Sequence, residues 1–245
     1  MTMKKTALAL LMLGFTSAEA GTGTAWGYSG AEGPEHWGSL SPAYSACSTG
    51  KNQSPVNISD AVETELPELG MDYKSGGTSV LNNGHTIQVN YAPGSQLEVN
   101  GRPYTLKQFH FHSPSENTID GKSFPLEAHL VHADAAGNLA VVAVMFEEGA
   151  ENPTLKQIWS QMPHEAHETA EMAHSVDAAS LLPSDRGYYR FSGSLTTPPC
   201  SEGVTWLVMK HYDTASKRQI EKFEEVMHHP NNRPVQAVNA RLIMQ

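Results

Sequence analysis

The feature that most restricts this chain's fold is an alternation of apolar and polar residues with period two that keeps returning. It runs through Ser79–Tyr91, Gln96–Val99, Tyr104–His112, Leu126–Ala133, Leu139–Phe146, Tyr188–Ser192 and Val204–His211. Successive side chains of a strand point to opposite faces, so these segments read as half-buried strands. Turn residues separate them: Asn82-Asn83-Gly84, Pro93-Gly94, Asn100-Gly101, Asp120-Gly121 and Gly137-Asn138. Val99-Asn100-Gly101-Arg102 has the form of a hairpin tip, because Asn-Gly tolerates positive φ angles. Leu130–Val142 reads as a second hairpin closed at Ala136-Gly137-Asn138. Helices are few. Pro153–Met162 is one, and Lys217 to about Met227 is another, with Ser216 and Gln219 as a capping box. No repeat or Gly/Ser linker divides the chain, and 245 residues are ample for a buried core. The expected fold is mainly β (α+β): one domain over residues 21–245, built on a large twisted, mostly antiparallel sheet with peripheral helices.

Residues 1–20 follow a different logic. Lys4 and Lys5 precede an apolar run, Ala7–Phe15, and Ala18-Glu19-Ala20 puts small residues where a signal peptidase reads. This is the layout of a secretory signal peptide cut after Ala20. A membrane anchor is the alternative, but the apolar run is shorter than the ~18–20 residues needed to span. No later stretch is long and apolar enough, so no membrane insertion is expected after cleavage. In an exported chain, Cys47 and Cys200 most simply form one disulfide, with two buried free thiols as the alternative. Such a bridge is worth about 4–5 kcal/mol in the chain-entropy model. The net charge of −10 argues against a nucleic-acid partner.

The chain has twelve histidines. In Gln108-Phe109-His110-Phe111-His112, both imidazoles share one strand face and both phenylalanines the other. Gln108 has the parity of His110 and can orient that ring through its second nitrogen. In Glu127-Ala128-His129-Leu130-Val131, Glu127 is likewise placed to accept a hydrogen bond from His129. Three neutral nitrogens without a carboxylate or thiolate suit zinc with an open fourth position. An isolated His-x-His is also common on exposed strands, and spacing does not make the two strands neighbours. The spacing therefore carries the reading as far as a metal site.

Other histidines fit less well. His164-Glu165-Ala166-His167 is one residue short of the zinc-protease pattern and reads as a solvated loop or helix end. His228-His229 sits at an expected helix C-terminus, where imidazolium suits the dipole. His132 has the wrong parity to join His129, while His36, His174 and His211 have no partner spacing and read as structural or surface residues.

With these residues in view, the chain resembles an α-class carbonic anhydrase, in its bacterial secreted branch. The resemblance rests on Trp26-Gly27-Tyr28, Gln53-Ser54-Pro55-Val56-Asn57-Ile58, Asn82-Asn83-Gly84-His85 and Gln108 to His112. It continues through Glu116, Glu127 to His132, Ser194-Leu195-Thr196-Thr197-Pro198-Pro199, Asn231-Asn232-Arg233-Pro234 and Asn239-Ala240-Arg241. The signal peptide and the run His112-Ser113-Pro114-Ser115-Glu116-Asn117 point to the bacterial branch. Each piece is weak, but their joint occurrence in this order is specific.

The resemblance implies reversible hydration of CO2 to bicarbonate by a zinc-bound hydroxide. His110, His112 and His129 would hold Zn2+, with Gln108 and Glu127 behind His110 and His129. Thr196 would donate to Glu116 and accept from the hydroxide, and His85 would shuttle the proton to solvent. Val131, Val141, Leu195 and Trp206 would form an apolar wall for CO2. Tyr28, Asn83, Gln88 and Thr197 would order the water chain, with Gln88 standing where many relatives carry asparagine. Asn232 replaces an aromatic residue of animal relatives. Cys47 and Cys200 match the disulfide pair of the secreted branch, bracing the loop after Thr196. A periplasmic location follows for a Gram-negative host. Bacterial relatives are often dimers, which leaves a homodimer open, though no segment announces an interface.

Rival readings remain at this level. A cupin would use His110-x-His112-x3-Glu116, but the flanking glycines are missing and the residue four after His129 is Ala133. A non-catalytic binding module of the same fold would have lost zinc histidines, and a zinc-buffering protein would bind the metal without hydrating CO2.

Overall fold

The computed structural model describes residues 24–245. The signal-peptide segment, residues 1–20, lies outside the described residues. A main sheet of eleven strands dominates. Along it, in spatial order, run β10 (Thr169–Val176), β3 (Gly77–Asn82), β4 (Ile87–Tyr91), β6 (Arg102–His112), β8 (Leu126–Ala133), β9 (Leu139–Glu148), β12 (Glu202–Met209) and β11 (Tyr188–Ser194). β5 (Gln96–Val99) adds to β6, β2 (Gly70–Asp72) to β5, and β13 (Asp213–Ala215) to β9. Most neighbours are antiparallel, as expected, but β9 pairs in parallel with both β12 and β13. β1 (Asn57–Ile58) and β7 (Thr118–Ile119) form a separate small parallel ribbon.

The alternation read from the sequence divides the sheet into two faces. Phe109, Phe111, Leu130, Val142 and Leu207 enter one buried cluster, with α3 (Pro153–Trp159) and α4 (Lys217–Met227) packed over it. Val141, Ala143, Trp206 and Val208 enter another on the opposite face. That second face carries the histidines.

Local signals set the hairpins. Asn100 and Gly101 sit at φ 52° and 74°, the left-handed values a tight two-residue turn requires, and Val99 pairs with Arg102 across them. Leu130 pairs with Val142 and Ala133 with Leu139, so the second hairpin is as expected. The Ser216 hydroxyl accepts from the Gln219 amide and the Gln219 side chain answers, completing the capping box of α4.

Two expectations change, and one strand is added. Ser79–Tyr91 is two strands, β3 and β4, because Asn83 Oδ1 accepts from the His85 and Thr86 amides and turns the chain. The helix expected over Pro153–Met162 stops at Trp159, since Pro163 disfavours helical backbone at Met162. β10 was not legible: it is the sheet's edge, and most of its residues are exposed, so it needs no apolar alternation. Two short helices, α1 (Trp37–Leu40) and α2 (Ala46–Thr49), lead to Cys47, which is disulfide-bonded to Cys200. Among the described residues no helix is long and apolar enough to cross a membrane.

Candidate metal centre

Strand register builds the site. β6 and β8 pair so that His110 lies directly opposite His129, and His112 opposite Glu127. Because i and i+2 share a face, His112 joins the other two imidazoles. One ring nitrogen from each of His110, His112 and His129 lies within 4.8 Å of the others. His112 and His129 are buried, while His110 opens onto a cavity of about 140 Å3.

Each imidazole is held by its other nitrogen. His110 Nδ1 meets Gln108 Oε1 at 2.9 Å, His112 Nδ1 meets the Asn231 carbonyl at 2.7 Å, and His129 Nε2 meets Glu127 Oε1 at 2.8 Å. These partners accept, so the bonded nitrogens carry the protons and the converging ones keep lone pairs. Burial lowers the pKa of all three rings, and for His110 and His129 repulsion from neighbouring imidazoles lowers it further. His112 Nε2 is buried with no hydrogen-bond partner. A buried orphan nitrogen is costly, and three convergent lone pairs are what a borderline-soft cation accepts, so the residues fit a zinc ion.

Glu127 accepts only from donors: the amides of Glu116 and Asn117, the Asn117 side chain and His129. Burial raises its pKa, and these bonds pull it back, so the site satisfies the ionised form. Glu116 is also buried. Its Oε1 accepts from the Arg233 amide at 2.9 Å, and Oε2 lies 3.5 Å from His112 Nε2 and 3.9 Å from His129 Nδ1. Burial drives the Glu116 pKa well up, opposed by the Arg233 amide and by the Thr196 hydroxyl. Oε2 has no hydrogen-bond partner.

The apolar wall follows from the same register. Gln108, Val131, Val141 and Trp206 are successive partners across four strands, one step along the face from His110 and His129. Trp206 meets the His129 ring edge-on, with centroids 4.9 Å apart, and Val131 and Leu195 pack against the same cluster. Tyr28, Asn83, His85, Gln88 and Thr197 line the cavity with His110. Gln88 Nε2 donates to Asn90 Oδ1 at 2.8 Å. His85 is half-buried, and its pKa is lowered by burial and by His229 and His167.

Several contacts were not legible in sequence. Trp26 stacks on His85, with centroids 3.8 Å apart and planes at 9°. Asn231 orients His112 and also holds the Ser113 amide. Trp26, Asn231 and Arg233 all fall in motifs that signal the family, but a motif does not state what a side chain touches. None of the other histidines joins the three-imidazole cluster, though His167 and His229 come near His85. His132 is buried elsewhere, with Nε2 at 2.7 Å from the Tyr73 hydroxyl, and His36, His164, His167, His174, His211, His228 and His229 are exposed.

Comparison with known proteins agrees with this geometry. Residues 32–245 match the family model for eukaryotic-type carbonic anhydrase. A carbonic anhydrase of Pectobacterium carotovorum is 51% identical over 240 residues, covering 98% of each chain. One of Neisseria gonorrhoeae is 52% identical, covering 97% of this chain and 94% of its own. The solved α-carbonic anhydrase of Thermovibrio ammonificans, in complex with the inhibitor sulfanilamide, is 51% identical with a TM-score of 0.90, covering 91% of this chain and all (100%) of its own. A histidine cluster on the face of a mixed sheet, with relatives matching it end to end, places this chain in the α-carbonic anhydrase family.

Proposed function

We propose that the chain catalyses the zinc-dependent, reversible hydration of carbon dioxide to bicarbonate and a proton. The observation that carries this reading is the fixed tautomer of three imidazoles, which aims three lone pairs at one point. His110, His112 and His129 are the zinc ligands, oriented by Gln108, the Asn231 carbonyl and Glu127. A zinc ion held by these three residues would supply Lewis acidity, lowering the pKa of water toward neutrality.

The chain's own residues do the rest. Ionised Glu116 can only accept, so the Thr196 hydroxyl donates to it and offers lone pairs to the nucleophile's proton. That fixes which lone pair faces the substrate, a positioning effect. Val131, Val141, Leu195 and Trp206 give an uncharged, apolar substrate a surface that it does not need to desolvate. His85 carries the product proton outwards, past water ordered by Tyr28, Asn83, Gln88 and Thr197. An imidazole suits that transfer because its pKa lies near neutrality.

Residues 1–20 are a signal peptide and residues 21–245 the single catalytic domain, exported to the periplasm. The Cys47–Cys200 disulfide supports an oxidising compartment.

Stopped-flow CO2 hydration by the mature chain, with and without a zinc chelator, tests the proposal. Fast hydration abolished by the chelator is expected. Background hydration from folded, zinc-loaded protein rejects the enzyme reading in favour of zinc storage.

A further inference from the structure

Arg233 is among the largest fully buried side chains. Its guanidinium meets acceptors next to the disulfide. Nη2 donates to the Cys47 carbonyl at 2.9 Å, while Nη1 donates to the Ser54 carbonyl at 2.7 Å and to Gln53 Oε1 at 2.9 Å. Gln53 in turn donates through Nε2 to the Cys200 carbonyl at 3.0 Å. The carbonyls of both disulfide-bonded residues are therefore held by one Gln–Arg pair. The main chain of Arg233 does something else: its amide is the donor to Glu116 Oε1. On the other side, the Cys200 amide donates to the Thr197 carbonyl at 2.9 Å, closing the turn that begins beside Thr196. A chain of contacts results. It runs from Glu116 through Arg233 to Cys47, across the disulfide to Cys200, and on to Thr197 beside Thr196.

We infer that Gln53 and Arg233 are positioning residues that tie the Cys47–Cys200 disulfide to the Glu116 carboxylate, so that closing the disulfide sets the Glu116–Thr196 pair. This rests on the reading of that pair as the device that orients the nucleophile. The inference gives the bridge a role in the reaction in addition to its stabilisation of the fold. It also gives a reason for burying a guanidinium here. Arg233 meets three acceptors through the two Nη atoms of a rigid, planar fork, while its Nε has no partner.

The test compares the wild-type chain, the Cys47→Ser/Cys200→Ser chain, and Gln53→Met with the disulfide intact. Amide hydrogen exchange at Arg233 is read on the metal-free proteins. Zinc content, kcat and KM for CO2 hydration are read on the loaded ones. Both variants should exchange the Arg233 amide about tenfold faster or more, while core amides of β8 and β9 stay protected. Both should lose about tenfold in kcat at unchanged zinc content and little-changed KM. Wild-type protection at Arg233 in both variants overturns the inference. So does an unchanged kcat with a lower melting temperature, which is the signature of a bridge that only stabilises. Should the disulfide-free chain fail to fold, Gln53→Met decides. If the loaded protein does not hydrate CO2, the functional reading falls, yet exchange on the metal-free chain still decides the link.

Discussion

His112 Nε2 and Glu116 Oε2 face each other at 3.5 Å in the interior, and neither has a hydrogen-bond partner. A neutral imidazole whose Nδ1 carries the proton presents a lone pair at Nε2, and Glu116, once ionised against the upward pull of burial, would present another. Two lone pairs in contact would repel. Under the proposed function a cation beside His112 and a hydroxyl donor from Thr196 to Glu116 remove the conflict, and these are the two components on which the proposed site would depend.

Removing the first component's support should weaken the metal. Every group that reaches Glu127 is a donor, so Glu127→Gln points an amide NH2 at another N–H. Zinc affinity should fall about 10–100-fold. Competition with a chromophoric chelator measures it, and wild-type affinity would contradict the assigned role.

Removing the second component should leave the metal in place. Thr196→Ala is expected to lower kcat/KM about a hundredfold through misorientation, with zinc content at the wild-type level. Full activity in this variant, measured by stopped flow, defeats the orienting role.

His85 is predicted to matter only when solvent cannot take the proton by another route. His85→Ala should slow turnover at least about tenfold in weak buffer, with added imidazole restoring it. Its pKa is lowered by burial and by His229 and His167, which would favour release of a proton once taken up. No loss in weak buffer would refute the shuttle.

His132 makes stability pH-dependent away from the metal. Burial lowers its pKa from 6.5 to about 4 in the fold, with its Nε2 engaged by Tyr73. The unfolded chain then binds a proton between these values that the native state does not, so stability falls as pH drops from about 6.5 to about 4. The full effect is about 3 kcal/mol, of which about 2 should appear by pH 5. Denaturant melts at about pH 8 and about pH 5 measure it, and His132→Gln should remove that part of the difference. Equal pH dependence in the two proteins would show that His132 is not the source.

How much the sequence carried is clearest in β6 and β8. Side-chain alternation is a property of the extended backbone itself. It placed Gln108, His110 and His112 on one face of their strand, and Glu127 and His129 on one face of theirs, without further information. The Ser216–Gln219 cap and the Asn100-Gly101 turn were legible for the same reason, because their contacts are local. The edge strand β10 was hidden because exposed residues leave no burial pattern.

By itself, then, the amino-acid sequence determined the alternation, the turns, the capped helix and two pairs of residues that can bind or orient a metal. Only the tertiary structure decided that the pairs form one site. His110 meets His129 because β6 and β8 adopt a particular register. His112 is oriented by a carbonyl 119 residues away, and Arg233 reaches Cys47 across 186. Such contacts depend on how the whole sheet and its connections close, and no local periodicity encodes that closure.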